Sequence, residues 1–386
     1  MKKTILAALI SSTLFTGTAF ANAAVVGAVA SNPQVQSLAK EVMVDNFGDV
    51  AELLGDAGES RSAMKDLPVK RTFGNDQTKA QKKINKLYDE VFEIMTDNKV
   101  SHYQKQLERI KATKENLIAE KAELQAKIGL TFEEAEIVSI ENDIVSIELQ
   151  IESQDAKREE VLAEVHDRLN QYGSDIPFER VESMLNRVDS DDLIGMTTIF
   201  PVLAEFSKHL GNVASTSNDL VTSKKYYALY VSVLDIQMFI QKQYENRLSH
   251  RYIPQLNKMK EDTQKLINET SRMKSKAPTH MKAVYESNLQ NQVMTRKVIN
   301  LYTKVLQGNL NKTKKARSMV KQSYDLAQNT LDTVSISLDV SMLIKSNEGL
   351  FSAVMELSMP EMVTFQNSAM ETEFNKLTAQ LKAGNK

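Results

Sequence analysis

The sequence predicts an all-α protein, an elongated helical bundle carrying a long antiparallel coiled-coil hairpin. Three observations predict it. Breakers are scarce, with 13 Gly and 7 Pro in 386 residues, so helices can run long. No stretch of useful length shows the period-two alternation of a strand. The row Ile137, Ile140, Ile144, Ile147, Ile151 steps 3-4-3-4, which keeps one stripe of a helix facing a partner helix.

Residues 1–21 read as a secretory signal peptide. Lys2 and Lys3 give a positive start, Thr4 to Phe20 is uncharged, and Ala19-Phe20-Ala21 supplies small residues for cleavage after Ala21. Its apolar core is short for a spanning helix, which needs ~20 residues. Residues 22–75 are expected to hold a loose tail and a first helix over about 33–54. Gly55 and Gly58 are expected to end that helix before a polar connection.

The coiled-coil hairpin is expected over 76–172. From Asp76 to Ile128 the pattern reads as one helix, with Tyr103, Leu107, Ile110, Leu117, Leu124 and Ile128 along a seam that also holds Lys114 and Lys121. Gly129 is a natural stop because it takes the left-handed conformation cheaply. Thr131 and Glu134 have the spacing of a capping box. The second helix then runs to about Tyr172 and ends at Gly173. A link as short as Gly129-Leu130 makes the two helices antiparallel neighbours, in a hairpin roughly 60 Å long at ~1.5 Å per residue.

A helical bundle is expected over 178–382. Short helices are expected within 178–222. A long helix over 223–276 has the dense apolar run Tyr226 to Ile240, and Pro254 should kink it. Another starts at Pro278, and an amphipathic helix over 361–382 follows Pro360. The apolar segments 193–204 and 226–240 read first as core and second as segments that meet lipid or a partner after rearrangement. Met342, Met355, Met359, Met362 and Met370 have the adaptability of binding surfaces, but at helical spacing they read as core.

The charge is nearly balanced, 48 basic against 50 acidic residues, and becomes −4 once Lys2 and Lys3 are removed with the signal. That balance argues against a nucleic-acid partner, which wants a basic stripe. The absence of cysteine removes disulfide and thiolate chemistry. None of the five histidines, 102, 166, 209, 250 and 280, has another at i+3 or i+4, so no metal motif is present. There is no phosphate-binding glycine loop and no nucleophile elbow. The acidic clusters Glu133-Glu134-Glu136 and Asp189-Ser190-Asp191-Asp192 read as solvated. The first suits the opening turn of a helix; the second lacks calcium-loop spacing. No catalytic, cofactor-binding or metal residue is assigned, and no enzyme activity is expected.

The blocks Asn246-Arg247-Leu248, Pro254-Gln255-Leu256, Leu266-Ile267 and Val340 to Leu350 resemble the toxic-anion (tellurite) resistance proteins over about 240–380. The resemblance implies an all-helical fold and a role in toxic-anion or envelope stress, and it implies no catalytic residues.

The expectation is therefore an exported, non-enzymatic helical binding or scaffolding protein of the cell envelope, periplasmic or else secreted, with a protein partner. Its a/d seams also admit a homo-oligomer. The alternative is a secreted α-helical pore-forming toxin component that uses 193–204 or 226–240 at a membrane.

Overall fold

The computed structural model describes residues 36–71, 74–173, 176–216, 220–332, 365 and 367–383. Among them the regular structure is helical throughout. In chain order it comprises α1 (Gln36–Met64), α2 (Gln77–Met95), α3 (Asn98–Ile128), α4 (Glu134–Asn170), α5 (Phe178–Leu185), α6 (Ser190–Thr216) and α7 (Leu220–Arg247). These are followed by α8 (Ile253–Lys276), α9 (Lys282–Asp332) and α10 (Ser368–Ala383). The signal segment, the 340–350 block of the family resemblance, and Met342, Met355, Met359 and Met362 lie outside the described residues.

The body is organised around α7. Nine consecutive residues, Leu229 to Gln237, are buried, as expected of a helix enclosed on all sides. Helices α1, α6 and α9 pack against it. Buried α7 residues such as Tyr230, Val233 and Leu234 share one core with Leu54, Phe200, Phe206, Tyr302 and Phe374. The apolar segments 193–204 and 226–240 thus lie in the core. Among the described residues no helix is long and apolar enough to cross a membrane.

Several boundaries differ from the sequence expectation. The first helix does not stop at Gly55 and Gly58 but continues to Met64. A Cβ on Gly58 would lie 2.9 Å from Ser232 Oγ, and one on Gly55 would lie 4.0 Å from Leu229 Cδ2. The glycines bring α1 close to α7 instead of ending it. Helix α6 passes through Gly195 and Pro201 as one element of 27 residues, where short helices were expected. At the expected kink, Leu248–Tyr252 forms a π turn and Pro254 falls in the first turn of α8. Proline has no N–H to donate there.

The hairpin is α3 and α4, which pack along each other. The pattern over 76–128 is two helices, not one. Thr96 and Asp97 separate them, and Asp97 caps α3 by accepting from Lys99 N at 2.9 Å. Helix α2 packs on α1 instead, so the α3 strand of the arm is shorter than expected, about 46 Å for its 31 residues at roughly 1.5 Å each. Gly129 is right-handed (φ −66°), and Glu133, not Thr131, is the N-cap, with no side-chain cap bond. The Thr131 hydroxyl donates to Lys127 O at 3.0 Å instead. At the other end Gly173 takes φ 91° and stops the chain of helical turns.

The seam packs as its spacing predicts. Leu117, Ile140 and Ile147 are buried and Ile137, Ile144 and Ile151 half-buried. The lysines in the seam are explained by pairing. Lys114 reaches Asp155 at 2.5 Å and Lys121 reaches Glu148 at 2.6 Å. Lys121 is seven residues beyond Lys114 and Glu148 seven before Asp155, so one antiparallel register holds along the arm.

At its base the arm is fastened through Asp97, whose side chain is 3% exposed. It accepts from Arg168 Nε at 2.6 Å and from the buried Tyr172 hydroxyl at 2.9 Å. Asp97→Ala removes the cap and leaves both donors without their acceptor. Together these cost about 2–4 kcal/mol. Urea denaturation followed by circular dichroism should show a lower midpoint with an unchanged slope.

Candidate functional site

The α3–α4 arm ends in a turn at 129–133 that carries two exposed apolar side chains. Leu130 is 78% exposed and Phe132 98%. Val138, Val145 and Leu149 are exposed as well. Their spacing, i, i+7, i+11, places them on one side of α4, turned away from the isoleucine seam. From 128 to 156 the chain has eight carboxylates and no Lys, Arg or His. Glu133, Glu134 and Glu136 are exposed at the tip, as the sequence suggested. The arm thus offers an apolar end and a negative charge concentrated on the tip and α4, while α3 is net basic and ends near the exposed Lys127.

The second acidic cluster differs from its sequence reading. Asp189 is buried, where solvation was expected. Arg187, fully buried, donates to it from Nε at 2.9 Å and from Nη2 at 2.7 Å. Tyr244 donates from its hydroxyl at 2.6 Å, and Asn309 Nδ2 donates in turn to that hydroxyl at 2.9 Å. Tyr302 accepts from Val188 N at 2.6 Å and from Thr378 at 3.1 Å. One network therefore ties the turn before α6 to α7, α9 and α10. Burial pushes the Tyr244 hydroxyl well above its ordinary range, and the Asp189 charge adds to that. These buried groups hold the packed helices together.

Asp192 is also largely buried and pairs with Arg247, whose Nε donates at 2.9 Å. Burial pushes its carboxyl up to about 6, against the downward pull of Arg247. The folded value lies above the unfolded value of about 3.9, so the native state binds the proton more tightly. Stability from this group is greatest at low pH and falls as pH rises through about 6. Asp192→Asn removes that titration. The Tm of the wild type minus that of the variant should increase as pH falls from 7 to 5, and a difference constant with pH would contradict the burial of this carboxylate. Asp191, by contrast, is exposed and accepts from Gln104 at 3.0 Å.

A cleft of about 810 Å³ lies between α1, α7 and the end of α9, lined by residues including Gly48, Gly55, Lys225, Ser232 and Leu331. In its wall Asp235 accepts from Arg61 Nε at 2.8 Å and from the Tyr88 hydroxyl at 2.8 Å. These groups are engaged with one another, and among the described residues no histidine lines the cleft. Among the described residues no three metal-ligating side chains come together. His102, His209, His250 and His280 are exposed and His166 half-buried.

Comparison with models of protein families, with characterised proteins and with solved structures finds no match.

Sequence reasoning located the arm and its tip, and the repeat of isoleucines was the signal. It missed the Arg187–Asp189–Tyr244 network. The local cue for it was Arg187 two residues before Asp189, just ahead of the apolar run that starts at Leu193.

Proposed function

We propose that the protein is an exported, non-enzymatic scaffold of the cell envelope that engages a protein partner through the tip of the α3–α4 arm. The observation that carries this reading is Phe132, 98% exposed at the end of a two-helix arm. Leaving a phenylalanine in water forgoes about 1.5–3 kcal/mol of burial. A contact that covers it recovers that energy. The export signal read from residues 1–21 supports the envelope setting, and the resemblance over 240–380 supports a role in toxic-anion or envelope stress.

Pull-down from envelope extracts with the mature chain, and with a chain in which 105–160 is replaced by a short linker, tests the reading. A partner retained by the first and lost by the second is the expected result. The same partners on both would remove the arm from the account. The pore-forming alternative requires α6 and α7 to leave the core, and liposome dye release decides it: leakage would favour it over the scaffold.

A further inference from the structure

The molecule has a second two-helix hairpin, and its chemistry is the inverse of the first. Helices α8 and α9 pack on each other and join through 277–281. From 270 to 285 the chain carries Arg272, Lys274, Lys276, His280 and Lys282 and no carboxylate. Lys274 is paired with Glu286, while Arg272, Lys276 and Lys282 are exposed. Among these charges stand exposed apolar side chains: Met273 at 50%, Met281 at 43% and Val284 at 61%. The turn of one hairpin is apolar and basic, and the turn of the other is apolar and acidic.

We propose that the acidic tip of the α3–α4 arm docks on the basic turn of the α8–α9 hairpin of a second copy of this chain. Leu130 and Phe132 meet Met273, Met281 and Val284, and unbranched methionines adapt their shape to such a contact. Glu133, Glu134 and Glu136 face Arg272, Lys276 and Lys282. Two acidic tips repel each other, as do two basic turns, so the charges select the unlike pairing and set its direction. Because the two surfaces differ, the contact is heterologous, and copies add head to tail into a ring or an open chain. The inference rests on reading the arm as a binding element, and it names the partner.

Sedimentation velocity of the mature chain tests it. At about 0.05 M salt the chain should self-associate, and at about 0.5 M, where exposed charges are screened over a few ångströms, it should move toward monomer. Reversing the acidic tip (Glu133→Lys, Glu134→Lys, Glu136→Lys) should weaken association at least ~10-fold, and so should reversing the basic turn (Arg272→Glu, Lys276→Glu, Lys282→Glu). An equal mixture of the two reversed chains should recover long assemblies, because each tip then meets a turn of opposite charge on the other chain. One chain carrying both reversals should associate within about threefold of the wild type. These positions are exposed, so the helical circular dichroism signal should be retained, with a modest fall in Tm where a reversed charge sits at the unfavourable end of a helix. Leu130→Ser with Phe132→Ser should lose association without a change of charge. A monomer at low salt, or a doubly reversed chain that fails to recover, overturns the proposal. If arm deletion still removes an envelope partner while the chain stays monomeric, the self-docking fails and the binding arm stands.

Discussion

Arg187→Met is expected to destabilise the body by about 3–5 kcal/mol, because it removes one partner of a buried ion pair and leaves the other charged. Arg187 and Asp189 are both 0% exposed at their side chains. Methionine fills much of the arginine volume, so the loss is electrostatic more than a matter of packing. Asp189 then keeps the Tyr244 hydroxyl at 2.6 Å but has no cation within the core. Adding Asp189→Asn to Arg187→Met should recover stability at neutral pH, since an amide costs far less to bury than an unpaired carboxylate. Equilibrium unfolding in urea reads all three chains. An Arg187→Met midpoint equal to wild type would mean that the pair is solvated.

Ile147→Asp has the largest expected effect on the arm. Ile147 is 4% exposed and central in the seam. A carboxylate there must be desolvated next to Glu148, with Lys121 already engaged by Glu148 at 2.6 Å. The loss is about 3–5 kcal/mol, from the missing isoleucine and the buried charge together. Helix α3 packs chiefly against α4, so the distal arm has no other support and should melt. The body core, centred on α7, should remain. Hydrogen exchange should show fast exchange across about 105–160 and unchanged protection across α7 and α9. Protection lost equally everywhere would show that the arm and the body unfold as one unit.

The contrast between what could and could not be read from the chain follows from the range of the interactions. The isoleucine seam was legible because a 3-4 repeat depends only on local spacing and the geometry of one helix. The register was half legible: Lys114 and Lys121 stood out as polar seam positions, but their partners lie 41 and 27 residues away. The break at Thr96–Asp97 was not legible. Asp97 looks like one more polar helical residue until Arg168 and Tyr172, more than 70 residues later, surround it. Gly55 and Gly58 were misread because local propensity makes a glycine a stop, whereas the close approach of α7 makes it a contact. The acids at 189–192 were misread for the same reason. Three carboxylates in four residues favour solvation locally, and Arg187, Tyr244 and Arg247 reverse that for two of them.

For the site, the sequence indicated an arm and a tip. It did not show that Phe132 is the more exposed of the two apolar residues there. It also did not show that the turn at 277–281 forms a second hairpin end of opposite charge. That pattern required both helix pairs to be placed.

The central claim is that the tip of the α3–α4 arm makes a protein contact in the envelope. The chain contains no cysteine, so Ala135→Cys gives a unique thiol close to Phe132, and Glu41→Cys gives another exposed one on the body. Each is labelled with a benzophenone and irradiated in envelope extract. The account predicts a discrete cross-linked protein band from position 135, lost when Leu130 and Phe132 are both replaced by serine, and no such band from position 41. Cross-linking from 41 and none from 135 would contradict it.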